Sequence, residues 1–303
     1  MCRMSKARIK EMGTDPSRNQ KEDETRMILQ SPSPVVAPLE FKTDEMIEWA
    51  IDTYGDKVAI SCSWGKDSMI VLYKARKIDP NIRVMNAIAM PLAETIKFSN
   101  EMIDLWDLNC EKLRPYKGMN YWKCVEKYGL PHIRNRKLKS PKCCYYLKEK
   151  PIQDYIKRNK IEAVLTGLTS GESWNRKQLE HRYDNIEKMP WYMKTGNEKD
   201  GIKYCSLRYW AKTWDSWQIH PIMGWSLEDV WAYTYQEKIP INPTYFIHDG
   251  LYDRVGCVAC TAYLGWEKKL SKHLPELYHK LKDVEFKQTG QYRLSEFNTE
   301  MKQ

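Results

Sequence analysis

The most constraining feature of the sequence is a short apolar run that leads through a small polar loop directly into a helix. Residues 57–63 are rich in β-branched and small residues, as in a strand buried within a parallel sheet. The loop covers residues 61–68, and helical spacing continues over residues 68–77. In an open α/β sheet, such a turn faces the crevice at the carboxyl ends of the strands, where ligands bind. The sequence therefore predicts an α/β fold with a ligand site at this loop.

Further strand and helix patterns alternate along the chain. The segments concerned are residues 41–55, 82–90, 94–106 and 161–169. The second and fourth are apolar runs that predict strands, and the other two have helical spacing. In the first helix, Thr43 is the predicted N-cap and Gly55 the stop signal. Strands that alternate with helices predict a doubly wound parallel sheet.

Composition divides the chain into three parts. Residues 1–40 are polar, charged and proline-rich, and they are predicted to form a disordered basic and polar tail. Residues 41–205 hold the alternating pattern and are predicted to form the α/β domain. Aromatic residues and helical patterns dominate residues 206–303, which predicts a smaller C-terminal helical lobe that carries a C-x-x-C pair.

Several classes of protein are disfavoured. No stretch approaches the ~20 uninterrupted apolar residues of a membrane helix, and no apolar segment of a secretory signal follows the N-terminus. An odd number of cysteines, nine, argues against a disulfide framework. We therefore expect a cytoplasmic protein without a membrane partner. The net charge of +9 suits nucleotide phosphates or a nucleic-acid backbone equally, and a solvated basic surface is the alternative.

The loop has the chemistry of a phosphate site. A helix N-terminus offers unpaired N–H groups and the positive end of a dipole to phosphate oxygens. Gly65 lets the backbone approach the phosphates, Ser63 and Ser68 supply hydroxyl donors, and Lys66 adds positive charge. Phosphates repel the Asp67 carboxylate unless a cation lies between them, so this residue indicates a Mg²⁺ bridge or a structural role at the helix N-terminus. An ordinary Ser/Gly turn capped by Asp67 is the alternative.

The loop also resembles a known motif. Ser63, Gly65, Asp67 and Ser68 match the S-G-G-x-D-S loop, or PP-loop, of the N-type ATP pyrophosphatases. Trp64 stands where the first glycine of that motif usually lies. The resemblance implies a fold of the adenine nucleotide α-hydrolase type and makes residues 41–205 its nucleotide-binding domain. It assigns nucleotide binding to all six residues: Ser63, Trp64, Gly65, Lys66, Asp67 and Ser68.

Further stretches narrow the resemblance to the phosphoadenosine phosphosulfate (PAPS) reductase family. They are a P-x-x-E-T turn at residues 91–95, a G-x-x-x-x-E-S-x-x-R segment at 167–176, an H-P-I…W…E-D-V-W stretch at 220–231, and two cysteine pairs. Gly167 ends a predicted strand, so the family segment adds Glu172, Ser173 and Arg176 to the same crevice. Arg176 suits a phosphate or sulfate, and a helical pair with Glu172 is the alternative. In the last stretch, the acids after Ser226 indicate the first turn of a helix.

The cysteine pairs are Cys143-Cys144 and Cys257-x-x-Cys260. Four thiolates suit tetrahedral zinc or a 4Fe–4S cluster, adjacent cysteines do not match the spacing of structural zinc sites, and four buried thiols are a third alternative. In the family that the chain resembles, such pairs hold a 4Fe–4S cluster beside the nucleotide site. The resemblance therefore implies a cluster on Cys143, Cys144, Cys257 and Cys260. Residues 132–160 around the first pair are strongly basic, which also suits contact with a nucleic-acid backbone.

The resemblance implies sulfur chemistry on an adenine nucleotide. The family's reductases use a cysteine in a Glu-Cys-Gly-x-His motif, and this sequence has no cysteine after Cys260. We therefore expect a PP-loop ATP pyrophosphatase that adenylates a substrate in sulfur transfer, with Lys66, Asp67 and Arg176 as catalytic residues. The chain looks similar to sulfur-transfer components of DNA phosphorothioation systems. The alternatives are an adenylyl-sulfate reductase that uses Cys62 or Cys205, and a nucleic-acid-binding protein without catalysis.

The expected cofactors are ATP (or adenylyl-sulfate), Mg²⁺ and a 4Fe–4S cluster. The expected partners are a cysteine desulfurase or another sulfur donor, a DNA or tRNA acceptor, and a second copy of the chain. A small-molecule acceptor is the alternative to the nucleic acid.

Overall fold

A central β-sheet organises the chain. The computed structural model describes residues 36–132, 142–169, 207–247, 254–262 and 265–290. The strands are β1 (Val58–Ser61), β2 (Arg83–Ala87), β3 (Cys110–Leu113), β4 (Ala163–Thr166), β5 (Leu207–Ala211) and β6 (Ser216–His220). They form one six-stranded sheet in the order β3-β2-β1-β4-β6-β5. All neighbours are parallel except β5 and β6, which are antiparallel. The predicted doubly wound, parallel α/β sheet is confirmed.

Helices connect and cover the strands. They are α1 (Val36–Tyr54), α2 (Lys66–Ile78), α3 (Ala93–Trp106), α4 (Tyr121–Tyr128), α5 (Lys142–Cys144), α6 (Lys150–Asn159), α7 (Leu227–Gln236), α8 (Trp266–His273) and α9 (Pro275–Thr289). A π-helical turn, Tyr145–Glu149, joins α5 to α6. Within the ranges that the structure describes, no helix combines the length and apolar character needed to cross a bilayer.

The centre of the sheet fixes the position of the crevice. Ile60 of β1 lies beside Val84 of β2 on one side and beside Leu165 of β4 on the other. The strand order reverses between β1 and β4, and in such sheets ligands bind beyond the carboxyl ends of the two strands at this switch point. Both strands are buried on both faces, as their continuous apolar sequences predict. The loop at residues 61–68 therefore opens at the switch point.

The first helix begins earlier than the sequence predicts. It spans Val36–Tyr54, so Thr43 lies inside the helix and its predicted role as the N-cap is wrong. The Thr43 side chain is instead fully buried. Its hydroxyl donates to the Pro221 carbonyl oxygen at 3.0 Å and accepts from the Trp225 indole N–H at 3.0 Å. Thr43 thus ties α1 to the segment after β6.

We expect Thr43→Val to destabilise the protein by about 2–6 kcal/mol. Valine keeps the shape of threonine but leaves a buried carbonyl and a buried indole N–H without partners, each costing about 1–3 kcal/mol. Urea unfolding followed by tryptophan fluorescence measures the loss. The matched control is Thr234→Val, because the Thr234 hydroxyl donates to a carbonyl one turn earlier in its own helix, which keeps its helical hydrogen bond. Equal losses in the two variants would contradict this role for Thr43.

Two strands lie beyond the predicted domain boundary at residue 205. β5 and β6 complete the sheet, so the sheet uses residues on both sides of that boundary. Their aromatic residues, which predicted a helical lobe, lie in the sheet instead: Trp210 and Trp217 are opposite each other and pack edge to face at 5.7 Å. The later residues supply α7, α8 and α9, the predicted smaller helical lobe. At the start of α7, the acids after Ser226 lie in the first turn of the helix, as predicted, and Ser226 and Asp229 form a capping box.

Candidate functional site

The loop between β1 and α2 folds back on the first turn of the helix. The Ser68 hydroxyl accepts from the Ser63 backbone N–H at 3.3 Å and donates to the Gly65 carbonyl oxygen at 2.9 Å. The Ser63 and Ser68 hydroxyl oxygens lie 3.3 Å apart. The two serines predicted as phosphate donors are therefore neighbours, and Ser68 also fixes the shape of the loop.

Trp64 adopts the backbone conformation of a glycine. Its φ is +63°, in the left-handed region, where a residue with a Cβ is strained by about 1–2 kcal/mol. The side chain is 1% exposed and packs in the main hydrophobic core. Its indole N–H has no hydrogen-bond partner among the described residues. Trp64 therefore keeps the turn of the glycine-containing motif, while its ring is anchored in the core.

Lys66 and Asp67 begin helix α2. The Lys66 ammonium lies 2.8 Å from the Asp67 carboxylate, and the two residues are only 6% and 8% exposed. Removing one member of a buried ion pair lowers the stability of the folded protein, because the remaining charge is buried without a partner. The pair lies at the positive end of the α2 dipole, where phosphate oxygens are attracted. The structure thus shows a structural contact for Asp67, and the predicted Mg²⁺ bridge stays a prediction.

Gly167 brings the end of β4 against this turn. A Cβ at this residue would lie 2.4 Å from the Asp67 carbonyl carbon and 2.4 Å from the Ser68 nitrogen. Both are backbone atoms, so no side chain can move aside to make room. Only glycine permits this close approach between the end of β4 and the first turn of α2. The sequence-based placement of Gly167 at the crevice is consistent with it.

A turn from the C-terminal lobe holds the loop from the opposite side. The Asn242 amide donates to the Trp64 carbonyl oxygen at 3.1 Å and to the Thr95 hydroxyl at 3.4 Å. The Tyr245 hydroxyl accepts from the Lys66 backbone N–H at 3.1 Å. Neither Asn242 nor Tyr245 stood out as a site residue in the sequence, although an Asn-Pro pair after a helix is a signal for a capped turn. They lie almost 180 residues from the loop that they support.

A cleft of about 190 Å³ opens beside the loop. Ser63 and Trp64 line it on one side, and Lys112, Lys148 and Gly256 are among the residues of its other walls. The two lysines give the cleft positive charge, which suits an anionic ligand. The loop, the end of β2 and the two residues before Cys257 therefore share one cleft. Glu172, Ser173, Arg176 and Cys205 lie outside the described residues.

The four predicted ligand cysteines come together from distant parts of the chain. Cys143 and Cys144 lie in α5, and Cys257 and Cys260 lie in the segment 254–262. The pKa of the Cys144 thiol is lowered to about 7. The hydrogen bond from Cys143 is the main cause, and the positive charges of Lys148 and Arg254 add to it, while burial acts in the opposite direction. The Cys143 pKa is raised by that hydrogen bond, by burial, and by the charges of Cys144, Cys257 and Cys260. The four thiols therefore share one neighbourhood beside the cleft.

This neighbourhood is not a preformed metal site. Among the residues that the structure describes, no three His, Cys, Asp or Glu side chains are grouped so that they could hold a metal ion. Tetrahedral zinc requires sulfur atoms about 3.8 Å apart, given Zn–S bonds of about 2.3 Å. A fifth thiol, Cys124, lies in the same neighbourhood. Its pKa is raised by burial and then by the charge of Cys144. The donor chemistry fits an iron–sulfur cluster, which cysteine thiolates hold.

The chain matches known proteins over most of this structure. Residues 57–263, more than half of the chain, match the family model described as the phosphoadenosine phosphosulfate reductase domain. An uncharacterized protein of Methanocaldococcus jannaschii is 29% identical over 226 residues, which are 74% of this chain and 46% of that protein. The chain thus spans about half the length of that relative. An adenosine 5'-phosphosulfate reductase of Staphylococcus haemolyticus is 26% identical over 226 residues, 72% of this chain and 76% of the relative.

Solved structures give a weaker match. The crystal structure of a phosphoadenylyl-sulfate reductase from Candida auris, in complex with phosphate, has a TM-score of 0.49 and 12% identity. The match covers 81% of this chain and 97% of that chain.

Proposed function

The chain belongs to the phosphoadenosine phosphosulfate reductase domain family, and from this premise we propose that it is a PP-loop ATP pyrophosphatase that adenylates a substrate in sulfur transfer. The observation that carries the proposal is the loop at residues 63–68, which joins the central strand to the N-terminus of α2 at the switch point. Gly167 holds the loop tightly against β4. The buried Lys66–Asp67 pair provides the charged groups.

The reaction is a displacement at the α-phosphorus of ATP. An oxygen of the acceptor attacks this phosphorus, the bond to the bridging α–β oxygen breaks, and pyrophosphate leaves with the electron pair. A sulfide-level sulfur then replaces the activated oxygen, which leaves on AMP. Lys66 and the N–H groups at the start of α2 stabilise the phosphate charge. Asp67 would hold Mg²⁺ together with the phosphates, and the ion would neutralise their charge.

The test is a direct assay of both products, AMP and pyrophosphate, on one preparation. Purified protein is incubated with Mg²⁺, a candidate acceptor, sulfide and ATP labelled at the α-phosphate. We expect labelled AMP and an equal amount of pyrophosphate, which is measured separately because it carries no label. Formation of ADP, or no turnover with a range of acceptors and sulfide, would contradict the proposal.

Adenylyl-sulfate reduction is the second candidate, because the Staphylococcus relative is named as such a reductase. The reaction needs a cysteine thiolate to attack the sulfur of the substrate. Cys62 is 2% exposed, and burial raises its pKa to about 11, so near neutral pH it is an unreactive thiol. Cys205 is the other cysteine that we proposed for this role. Thiol-dependent release of sulfite from adenylyl-sulfate would favour the reductase.

We propose that Cys143, Cys144, Cys257 and Cys260 hold a 4Fe–4S cluster. Their convergence beside the cleft supports this assignment. When bound, such a cluster supplies a sulfur-binding and electron-transfer centre. We also propose that Glu172, Ser173 and Arg176 contact the nucleotide. The proposed sulfur donor is a cysteine desulfurase or a similar protein, and the proposed acceptor is DNA or tRNA.

We expect each single Cys→Ser change at these four positions to remove the iron. The protein should be purified anaerobically, and iron, sulfide and zinc should be measured with the visible absorbance and the thermal unfolding midpoint. Each variant should lose the brown colour and unfold at a lower temperature, because metal bonds stabilise the folded state. The matched control is Cys124→Ser in the same neighbourhood, and Cys110→Ser is a remote control. Wild-type protein without iron, or equal iron loss in Cys124→Ser, would contradict the assignment.

A further inference from the structure

A surface of tyrosines and lysines lies next to the cysteine neighbourhood. We call it the tyrosine–lysine surface, and it consists of Tyr116, Tyr128, Tyr145 and Tyr146 with Lys117, Lys127, Lys142 and Lys150. It is built from the turn Tyr116–Gly118, the end of α4 and the helical run from α5 to α6. All four rings are half-buried, so each has one part packed against the protein and another part open to solvent.

Three of the rings are nearly parallel. The rings of Tyr128 and Tyr146 are 5.5 Å apart between centroids and inclined by 12°, and those of Tyr116 and Tyr146 are 6.4 Å apart and inclined by 21°. The hydroxyl oxygens of Tyr128 and Tyr146 lie 2.9 Å apart, a hydrogen bond that holds the two rings in this orientation. Parallel rings fixed in this way form an ordered row of flat faces and edges.

Lysines lie beside the two rings at the ends of the row, Tyr116 and Tyr128. Ammonium groups lie 5.3 Å and 5.4 Å from the Tyr116 centroid (Lys117 and Lys150), and 5.4 Å from that of Tyr128 (Lys127). Among the described residues, only Lys150 of the four lysines has an ion-pair partner, Asp154. Glu126 on α4 and Glu149 on the π turn are the other acids nearby in sequence. Positive charge therefore predominates on the surface.

Alternating aromatic rings and lysines match the chemistry of a single-stranded nucleic acid. Unpaired bases stack on aromatic side chains, and phosphates pair with the interleaved positive charges. A duplex hides its base faces within the stack, so the rings would contribute little to its binding. An acidic peptide would satisfy the lysines but offers no bases for the rings.

The surface also leads to the cleft. Tyr145 and Tyr146 follow Cys143 and Cys144 directly, and Lys148 of the same π turn lines the cleft beside Ser63 and Trp64. Tyr145 and Lys148 are three positions apart in the helical run, a rise of only about 4.5 Å, so a bound strand would pass close to the opening of the cleft. We propose that the tyrosine–lysine surface binds a single-stranded nucleic acid, which is the acceptor of the sulfur transfer. The role as acceptor rests on the proposed function, and the binding does not.

The test measures binding without catalysis. Fluorescein-labelled oligothymidylate and oligouridylate of about 12 nucleotides, a site size typical of such surfaces, and a duplex of equal length are titrated with the full chain. Fluorescence anisotropy is recorded at salt concentrations between about 50 and 200 mM. We expect the single strands to bind more tightly than the duplex, and the two oligonucleotides distinguish DNA from RNA.

The variants separate stacking from charge. Tyr116→Leu and Tyr128→Leu keep apolar volume but lose the aromatic ring, and each should weaken binding about 5- to 100-fold. The control Tyr235→Leu removes a half-buried tyrosine that stacks on Trp231 elsewhere and should leave the affinity unchanged.

Removing Lys117 and Lys127 together should reduce the slope of log affinity against log salt by about 1.4, which is about 0.7 per phosphate contact on a single strand. The charge-matched control replaces the exposed lysines Lys212 and Lys238 by alanine. It should leave the slope unchanged.

Three results would overturn the proposal: no saturable binding, equal affinity for the duplex, or unchanged affinity in both tyrosine variants. AMP formation from ATP is measured on the same samples. If the chain binds single strands but forms no AMP, the proposal for this surface stands and the proposed function is wrong. If it forms AMP but does not bind single strands, only the proposal for this surface is wrong.

Discussion

Replacing Gly167 by alanine should abolish nucleotide turnover and destabilise the protein by about 1–3 kcal/mol or more, the range for overpacking in a closely packed interior. The added methyl group would lie 2.4 Å from the backbone atoms of Asp67 and Ser68. Either β4 or the first turn of α2 must move, and both changes displace the loop from the positions that phosphates require. Thermal unfolding, nucleotide binding and AMP formation should be measured on the same variant.

The matched control is Gly256→Ala. Among the residues that the structure describes, a Cβ at Gly256 meets no atom within 4 Å, so this variant should unfold like the wild-type protein. The same chemical change is thus made in open space, near the same cleft. If Gly167→Ala retained wild-type turnover, the close approach of β4 to the loop would have no part in forming the site.

Replacing Asp67 by asparagine should reduce AMP formation about 100-fold or more, an effect typical of removing one polar group that stabilises transition-state charge. Asparagine has the same shape, but it has no negative charge to hold Mg²⁺ against the phosphates. The Lys66 ammonium also loses its buried partner at 2.8 Å, which should cost about 1–3 kcal/mol of stability. Turnover and urea unfolding must therefore be measured together.

A second ion pair on α2 provides the control. Lys74 is 2% exposed at its side chain and lies 2.9 Å from the Asp44 carboxylate, far along the helix from the loop. Asp44→Asn should lower stability without lowering turnover. Wild-type turnover in Asp67→Asn would leave Asp67 with a structural role only.

The central strands and the loop could be predicted because their information is local. The apolar run that became β1, the serine and glycine residues after it, and the helical spacing of α2 occupy about 20 consecutive residues. Gly167 could be placed at the crevice because it ends a strand of the same kind. Periodicity and turn chemistry act over such distances, and they determine where the phosphates of a ligand are expected.

The supports of the loop could not be predicted in this way. Asn242 and Tyr245 contact the loop across almost 180 residues of sequence, and Thr43 contacts Trp225 across a similar separation. Such contacts depend on the packing of whole layers, so a local N-cap rule gave Thr43 the wrong role. β6 did carry a strand signal, because residues 216–220 alternate between polar and apolar. The many aromatic residues of this region were instead interpreted as part of a helical lobe.

The pairing of the two central strands has a consequence for how the chain is made. Val58 of β1 lies beside Ala163 of β4, so 105 residues must be added before this pair can form. At about 5–20 residues per second, the ribosome needs about 5–20 s for this stretch. During that time β1 can pair with β2, but its other edge, which is buried in the finished sheet, stays open. A nascent chain halted before β4 should therefore be retained by chaperones that hold unpaired apolar strands, and release should follow once β4 has left the ribosome.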